Sequence, residues 1–318
     1  MNTPKITIIG AGVSGLSLSQ SLALAEWDVT LFEKSRGLGG RLSTRRYGQD
    51  RVNHGCNFFQ GDQKLFGEDW QKSLMSDLLS PVPGSREEPL WYSRLGNSEW
   101  ARTLLHPKVN LGFNQTLERI QKQDGLWRLD FADGSQHTCQ TLVLTAPIPQ
   151  SVSLLEAMAQ DFPKQVWQSL LGLVYAPCWS LIAKLEEGMN LPFPGYLLGV
   201  HPDLDLIADQ QALGLSQELY YVVHSGASFS HHLLDASKEQ VYEEIMERLS
   251  PWVDAGSVLS YDLHRWRYAR AIKPLGLPYV QLSESPRLFL LSDGISAGTV
   301  SACAEGSLGL ASFLDTKN

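Results

Sequence analysis

Three glycines close to the N-terminus have the spacing of a turn that binds phosphate. In a GxGxxG segment the first glycine allows a tight turn, the second lets the backbone approach a pyrophosphate, and the third lets a helix pack closely on a strand. The segment consists of Gly10, Ala11, Gly12, Val13, Ser14 and Gly15. Glu33 follows 18 residues after Gly15, where a carboxylate can accept hydrogen bonds from a ribose diol. The pattern predicts a dinucleotide site, and the alternative is a glycine-rich turn in an ordinary strand–helix unit.

A second glycine-rich segment follows this acid directly. It begins at Lys34, and its doublet Gly39-Gly40 is followed by Arg41. The run resembles the second glycine motif of flavoprotein amine oxidases, in which the chain passes close to the pyrophosphate and the arginine adds charge-assisted hydrogen bonds. A domain that binds only NAD has no need of this motif, so the segment favours FAD. The alternative is a solvated basic loop.

Asp293 stands near the other end of the chain, after an apolar run and before a turn of small residues. This looks like the position that holds the ribityl chain in the same family. A helix that begins after the turn would direct its N-terminus at the flavin pyrimidine, where negative charge develops on reduction. The alternative is that Asp293 only caps that helix.

Short apolar runs and helical segments alternate at both ends of the chain. The runs Lys5–Ile9 and Asp28–Phe32 predict buried strands on either side of a helix from Val13 to Glu26. Short strands are predicted between Val109 and Leu144, and a strand at Arg287–Leu291 precedes a closing helix. Both ends of the chain are therefore expected to complete one α/β sheet of the Rossmann type, with a second domain supplied by the middle.

The domain boundaries follow from this order of elements. The FAD-binding domain is expected to comprise residues 1–62, 98–150 and 285–318. The substrate domain is expected to comprise residues 63–97 and 151–284.

Composition limits the classes of protein and partner. The chain has 318 residues, 43% of them hydrophobic, and a net charge of -8, which disfavours nucleic acid as a partner. Its four cysteines form no CxxC pair, so we expect neither a zinc site nor any other metal. The apolar N-terminal stretch imitates a secretory signal, but it contains the glycine motif, so we expect it to belong to the folded protein. No continuous apolar run of about 18 residues occurs, so no membrane partner and a cytoplasmic location are expected.

Further segments extend the resemblance to the renalase family. The most specific are Glu33–Gly37 with Gly39–Arg46, and His264–Arg270. Weaker matches occur at Gly55–Phe59, Ala146–Gln150 and His224–Val241. The resemblance implies a two-domain fold like p-hydroxybenzoate hydroxylase, with an α+β substrate domain, a mixed sheet and non-covalent FAD. It also implies oxidation of dihydronicotinamide isomers, off-pathway forms of NAD(P)H, by hydride transfer to flavin N5, with O2 reoxidising the flavin to give H2O2.

The resemblance also assigns residues to the active site. It implies that Trp266 and Tyr268 are walls of the substrate pocket and that His224 lies on the substrate side. The cofactor contacts that it implies outside the glycine motifs are Asn57 and Phe58 near the isoalloxazine, Leu117 and Val300. Each assignment has a simpler alternative: Trp266 and Tyr268 alternate as one face of a strand does, which core packing also explains, and a lone histidine is often only a buried one.

The chain departs from the family on the flavin face and the substrate side. Gly55–Phe59 reads GCNFF where relatives usually have GAQYF, and Ser292 stands where a glycine normally precedes the aspartate. These departures leave the substrate open. A flavin enzyme that oxidises an amine or a C–C bond, and a flavin-binding protein without turnover, remain alternatives.

Overall fold

The computed structural model describes residues 3–85, 89–191 and 195–316. Residues 86–88 and 192–194, which fall within the predicted substrate domain, lie outside the described residues, as do the two residues at each end. The helices are α1 (Val13–Leu24), α2 (Gln63–Met75), α3 (Asn97–Thr103), α4 (Ile148–Leu155), α5 (Lys164–Leu171), α6 (Ala227–His232), α7 (Lys238–Leu249) and α8 (Val300–Thr316). The strands are β1 (Lys5–Ile9), β2 (Asp28–Phe32), β3 (Thr44–Tyr47), β4 (Asp50–Asn53), β5 (Leu79–Pro81), β6 (Trp91–Ser93), β7 (Asn110–Gly112), β8 (Leu117–Gln123), β9 (Leu126–Phe131), β10 (Gln136–Cys139), β11 (Thr141–Leu144), β12 (Tyr175–Leu185), β13 (Tyr196–His201), β14 (Leu204–Asp209), β15 (Tyr220–Ser225), β16 (Val258–Ala271), β17 (Val280–Glu284) and β18 (Arg287–Leu290).

Both ends of the chain build a six-stranded sheet with the order β17-β18-β11-β1-β2-β7. The pairings are parallel except that of β17 with β18, which is antiparallel. The carboxyl ends of β1, β2, β11 and β18 therefore meet at one edge, where open α/β sheets bind their ligands. The α/β fold and the shared sheet predicted from the sequence are confirmed. The predicted domain boundaries stay a prediction.

The central strands of this sheet are apolar because helices cover them. All four residues of β11 are buried, and Ile8 of β1, Leu31 of β2 and Phe289 of β18 are fully buried. Helices α1 and α8 pack on each other, and Ser307 Oγ donates to Ser14 O at 3.0 Å. The core therefore joins residues that lie almost 300 positions apart in the sequence.

A five-stranded antiparallel sheet forms the other large part, in the order β13-β14-β15-β12-β16. Helices α6 and α7 cover one face through an apolar cluster that includes Trp179, Val223, Val241 and Ile245. Side chains alternate between the faces of a strand, so the opposite face carries a different set. On that face His264, Ser180 and His224 are cross-strand neighbours on β16, β12 and β15.

Two local predictions differ from the structure. Residues 35–61 are Gly- and Arg-rich and predict a loop, but β3 and β4 form a hairpin whose turn has Gly48 at a φ of 61°. The hairpin is stabilised by long-range packing, because Val52 is buried against Ile182 and Val222 of the five-stranded sheet. The segment from Val152 to Met158 predicts a helix, but α4 begins earlier, at Ile148, because a proline at N2 lacks only an N–H that has no partner in the first turn. Within the described residues, no helix is long and apolar enough to cross a membrane.

Candidate functional site

The GxGxxG segment forms a tight turn between β1 and α1. Gly10 has a φ of 104°, and its carbonyl oxygen accepts a hydrogen bond from Thr145 Oγ1 at 3.0 Å. A Cβ on Gly15 would stand 1.9 Å from Gly10 O, so only glycine permits this approach of helix and strand. A Cβ on Gly12 would meet nothing within 4 Å, so the turn is open on the side that a pyrophosphate would approach.

The N-terminus of α1 leaves its backbone donors available to an anion. Gly12 is the N-cap and provides no side-chain hydrogen bond, and no acidic residue stands in the first turn. Val13 and Ser14 belong to this turn and are buried. A helix end of this kind favours negative charge through its unpaired N–H groups and its dipole.

Glu33 connects the two glycine segments. Its carboxylate accepts hydrogen bonds from the backbone N–H groups of Ala11 and Ser35, both at 2.8 Å, and its side chain is buried. Gly39 N donates to Ala11 O at 2.8 Å, which brings the second glycine segment against the first turn. Each carboxylate oxygen retains acceptor capacity for a ribose hydroxyl. Lys34, beside it, is exposed.

Arg41 and Asp293, the predicted ligands from the two halves of the chain, form one ion pair. Arg41 makes two contacts of 2.7 Å with the carboxylate of Asp293, and it also donates to the carbonyl oxygens of Tyr268 and Ala269. Tyr175 donates its hydroxyl to Asp293 at 3.0 Å. The arginine thus ties the end of β18 to β16. Its predicted contact with a pyrophosphate stays a prediction.

The remaining predicted cofactor residues lie around this edge. Val300 is the first residue of α8, seven positions after Asp293, and is half-buried. Leu117 is buried at the start of β8, close to Gln115, whose N–H donates to Glu33 O at 2.9 Å. The hydroxyl of Ser292 is buried and has no hydrogen-bond partner among the described residues. The open turn, the acceptor oxygens of Glu33 and the uncapped N-terminus of α1 together fit FAD at this edge.

A histidine–tryptophan cluster occupies the face of the five-stranded sheet that α6 and α7 leave uncovered. We define it as His54, His224, His264 and Trp266. The ring centroid of Trp266 lies 4.3 Å from that of His264 and 5.7 Å from that of His54, and its indole N–H donates to His54 O at 3.1 Å. His224 Nε2 lies 3.3 Å from the same carbonyl oxygen. The structure thus brings two of the predicted substrate residues together.

Asn57 contacts this cluster, whereas Tyr268 and Phe58 contact other parts of the protein. Asn57 Nδ2 lies 3.4 Å from His224 Nε2, and Asn57 Oδ1 accepts a hydrogen bond from Gln210 at 3.2 Å. The ring of Tyr268 lies edge-on to that of Tyr175, with centroids 5.9 Å apart. The ring of Phe58 packs on Tyr196 at 5.1 Å, in a cluster with Val82 and Tyr92. Its predicted flavin contact stays a prediction.

Burial keeps the histidines of the cluster uncharged. Burial, with repulsion from His264 and Arg45, lowers the pKa of His54 to about 3, and burial lowers the pKa of His224 to about 4. The pKa of His264 is lowered as well, mainly by burial. These imidazoles are therefore neutral and weakly basic at neutral pH. Among the described residues, no group of three or more His, Cys, Asp or Glu side chains is placed to hold a metal ion.

The buried histidines predict a loss of stability on mild acidification. Because the pKa of His54 is lowered in the folded protein, the unfolded chain binds more protons below pH 6.5, and stability falls as the pH falls from 6.5 towards 3. Between pH 7 and pH 5 the free energy of unfolding of a His54→Phe variant is expected to fall by about 2 kcal/mol less than that of the original protein. Urea denaturation at both pH values measures this difference. The exposed-site control His232→Phe should lose as much free energy of unfolding between these pH values as the original protein. An equal loss in the His54→Phe variant would refute the lowered pKa of His54.

Sequence reasoning missed four residues that position the site. Thr145 holds the first glycine turn, and Tyr175 holds Asp293. Gln210 is fully buried and joins Asn57 to the N–H of Asn53, while His54 lies at the centre of the histidine–tryptophan cluster. Thr145 follows a predicted buried strand at the ligand edge of the sheet, which was a usable signal. The others act through long-range contacts that leave no local pattern.

Comparison with known proteins agrees with this geometry. The profile of an NAD(P)-binding Rossmann-like domain matches residues 8–72, and that of flavin containing amine oxidoreductases matches residues 84–308. The chain therefore belongs to the flavin containing amine oxidoreductase family. It is a flavin-dependent oxidoreductase, and its cofactor is FAD.

Individual relatives are distant. Renalase of Mus musculus is 19% identical over 98% of both chains. Polyamine oxidase 7 of Oryza sativa subsp. japonica is 26% identical over 45% of this chain and 26% of its own. A CLA-producing fatty acid isomerase from P. acnes superimposes with a TM-score of 0.71 at 12% identity, covering 97% of this chain and 98% of that one. At this identity the structural likeness establishes the fold alone.

Proposed function

We propose that the protein oxidises dihydronicotinamide isomers, the off-pathway forms of NAD(P)H, and passes the electrons to O2. The likeness to renalase extends over 98% of both chains and supports this substrate class. The motifs that carry the resemblance include His264–Arg270, which contributes two residues of the histidine–tryptophan cluster.

The single observation that carries the proposal is the neutral character of this cluster. Bound FAD would supply a hydride acceptor at N5, and the two electrons, with the hydrogen of the hydride and one proton from solvent, would pass to O2 to give H2O2. A dihydropyridine loses hydride directly and becomes a pyridinium, so no protein base has to remove a proton. Imidazoles whose pKa values are lowered to about 3 and about 4 are weak bases, which suits such a substrate.

The protein's own residues then position the substrate and exclude water from it. Trp266 and Tyr268 would hold the planar substrate ring, and an indole face attracts the positive charge that the ring gains as it is oxidised. His224 and Asn57 offer polar atoms 3.4 Å apart for the carboxamide of the ring. Gln210 fixes Asn57 by its hydrogen bond of 3.2 Å. Such orientation lowers the barrier without a new chemical group.

Amine oxidation is the second candidate, because of the family itself and the partial likeness to polyamine oxidase 7. An amine is a cation at neutral pH and must lose a proton before it can donate hydride. The imidazoles of the cluster have lowered pKa values and are weak bases, poorly suited to take this proton. The weak basicity of the cluster therefore favours the dihydropyridine over an amine.

Oxygen consumption with a panel of substrates tests the proposal. The FAD-loaded protein is mixed in air with dihydro-isomers of NAD(P)H, with ordinary NAD(P)H and with polyamines, and O2 uptake and H2O2 are followed together. We expect the isomers to give one H2O2 per molecule oxidised, at rates well above those with ordinary NAD(P)H. Turnover with amines and none with the isomers would overturn the proposal in favour of the second candidate.

A further inference from the structure

An open cavity lies at the edge of the five-stranded sheet, next to the histidine–tryptophan cluster. Its volume is about 370 Å³. We call it the basic cavity, and it is lined by Trp179, Ala236, Lys238, Leu263, His264 and Arg265. These residues come from the edge strand β16, from its neighbour β12 and from the segment that leads into α7.

Positive charge collects at this cavity although the chain as a whole is acidic, with a net charge of -8. The ion pairs of this edge join four cations to two carboxylates: Arg45 and Lys238 to Asp262, and Arg265 and Arg267 to Asp235. The 12-residue helix α7 begins at Lys238, but Ser237 caps its N-terminus and Glu239 stands in its first turn, so the positive charge of this edge comes from the side-chain cations. The cavity is thus suited to an anion.

The cations of the cavity differ in how firmly they are held. Arg265 donates to Leu234 O at 2.6 Å, and its guanidinium lies 5.7 Å from the ring centroid of Trp179. Lys238 is 58% exposed, and its nearest contact with Asp262 is a long 3.8 Å. The lysine can therefore turn to an incoming anion at little cost, while the arginine offers a fixed guanidinium.

His264 connects the basic cavity to the proposed substrate site. His264 is one of the residues that line the cavity, and its ring lies 4.3 Å from the ring of Trp266. The two residues are about 7 Å apart along β16, given the rise of a strand. Leu263 and Arg265 lie on the other face of β16 from His264, and β16 is the edge strand, so the ribose phosphate of a nicotinamide held at Trp266 would reach the cavity around this edge.

We propose that the basic cavity binds the 5′-phosphate of the nucleotide substrate through Lys238 and Arg265. This inference rests on the proposed function, and it adds a phosphate subsite to the aromatic one. The chemistry selects nicotinamide nucleotides over the corresponding nucleoside, because only the nucleotides carry the anion that the two cations can bind.

A comparison of two substrates that differ by this phosphate tests the inference. Dihydro-isomers of nicotinamide riboside and of nicotinamide mononucleotide are mixed anaerobically with the FAD-loaded protein, and the second-order rate constant of flavin reduction is determined for each. In the Lys238→Ala variant the ratio of mononucleotide to riboside is expected to fall about tenfold, which is the loss of one charge-assisted hydrogen bond. Lys72→Ala, which removes an exposed lysine of α2, should retain the original ratio.

The outcomes separate the two proposals. An unchanged ratio in Lys238→Ala, with flavin reduction by both isomers, overturns the phosphate subsite and leaves the proposed function intact. Failure of both isomers to reduce the flavin of the original protein overturns the proposed function and the subsite with it. The charge-preserving variant Arg265→Lys provides a second check: it should lower the ratio, because lysine cannot replace the forked donor.

Discussion

Replacing Gly15 with alanine is expected to displace α1 from the sheet and abolish FAD binding. The new Cβ would stand 1.9 Å from Gly10 O and 3.1 Å from Gly10 C, both of them backbone atoms that no rotamer change can move. Overpacking of this kind costs about 3 kcal/mol. Urea denaturation of the FAD-free protein measures the loss of stability, and the absorbance of the purified protein measures bound FAD.

Gly12→Ala is the matched control for this prediction. The added methyl group would meet no protein atom within 4 Å, and the φ of -76° at Gly12 suits alanine. We expect unchanged stability without FAD and an FAD dissociation constant raised about a hundredfold, because the methyl group stands where the pyrophosphate approaches. Equal stability of the two variants would contradict the account of the turn.

The second large effect is expected at the ion pair of Arg41 and Asp293. In Asp293→Ala the guanidinium keeps its two carbonyl acceptors but loses a carboxylate that is nearly buried. Removal of one partner of a buried ion pair lowers the free energy of unfolding by about 3 kcal/mol or more. We expect the lower end here, because the Arg41 side chain is 31% exposed. Denaturation without FAD measures it.

A double-mutant cycle distinguishes this ion pair from two independent contacts. The Arg41→Ala, Asp293→Ala double variant should lose less stability than the two single variants added together, since no unpaired charge is left. Arg46→Ala is the control, because its ion pair with Glu99 is more exposed and should contribute about 1 kcal/mol or less. Strict additivity of the two single variants would show that the pair has no coupling energy.

The sequence allowed prediction of the parts of the fold that depend on local pattern. The β1–α1–β2 unit and its glycine turn were predictable, because strand, turn and helix each have a characteristic period and composition. So was a strand around Trp266 and Tyr268, which the alternation of this segment predicts and which lies within β16. Even the shared sheet could be inferred, since a strand–helix unit stands at each end of the chain.

The contacts that complete the site were beyond the reach of local pattern. Arg41 and Asp293 are 252 positions apart, and their pairing exists only once β18 and β16 have taken their places. The hairpin of β3 and β4 reads as a basic loop until the five-stranded sheet covers Val52. His54 and Gln210 belong to no sequence motif, and their roles are visible only from their contacts in the folded protein.

The cofactor and the substrate are thus inferred from different kinds of observation. FAD and the family follow from motifs that the comparisons support over most of the chain. The substrate proposal depends on the neutral histidine–tryptophan cluster and on the character of the reaction that such a cluster suits.

Anaerobic reduction of the flavin by a single equivalent of substrate tests the central claim most directly. With a dihydro-isomer of NAD(P)H, we expect the yellow absorbance of the oxidised flavin to disappear in one phase, with one NAD(P)⁺ formed for each flavin reduced. With ordinary NAD(P)H or an amine at the same concentration, the flavin should stay oxidised over the same time. A flavin that amines bleach and that the isomers leave yellow would contradict the account.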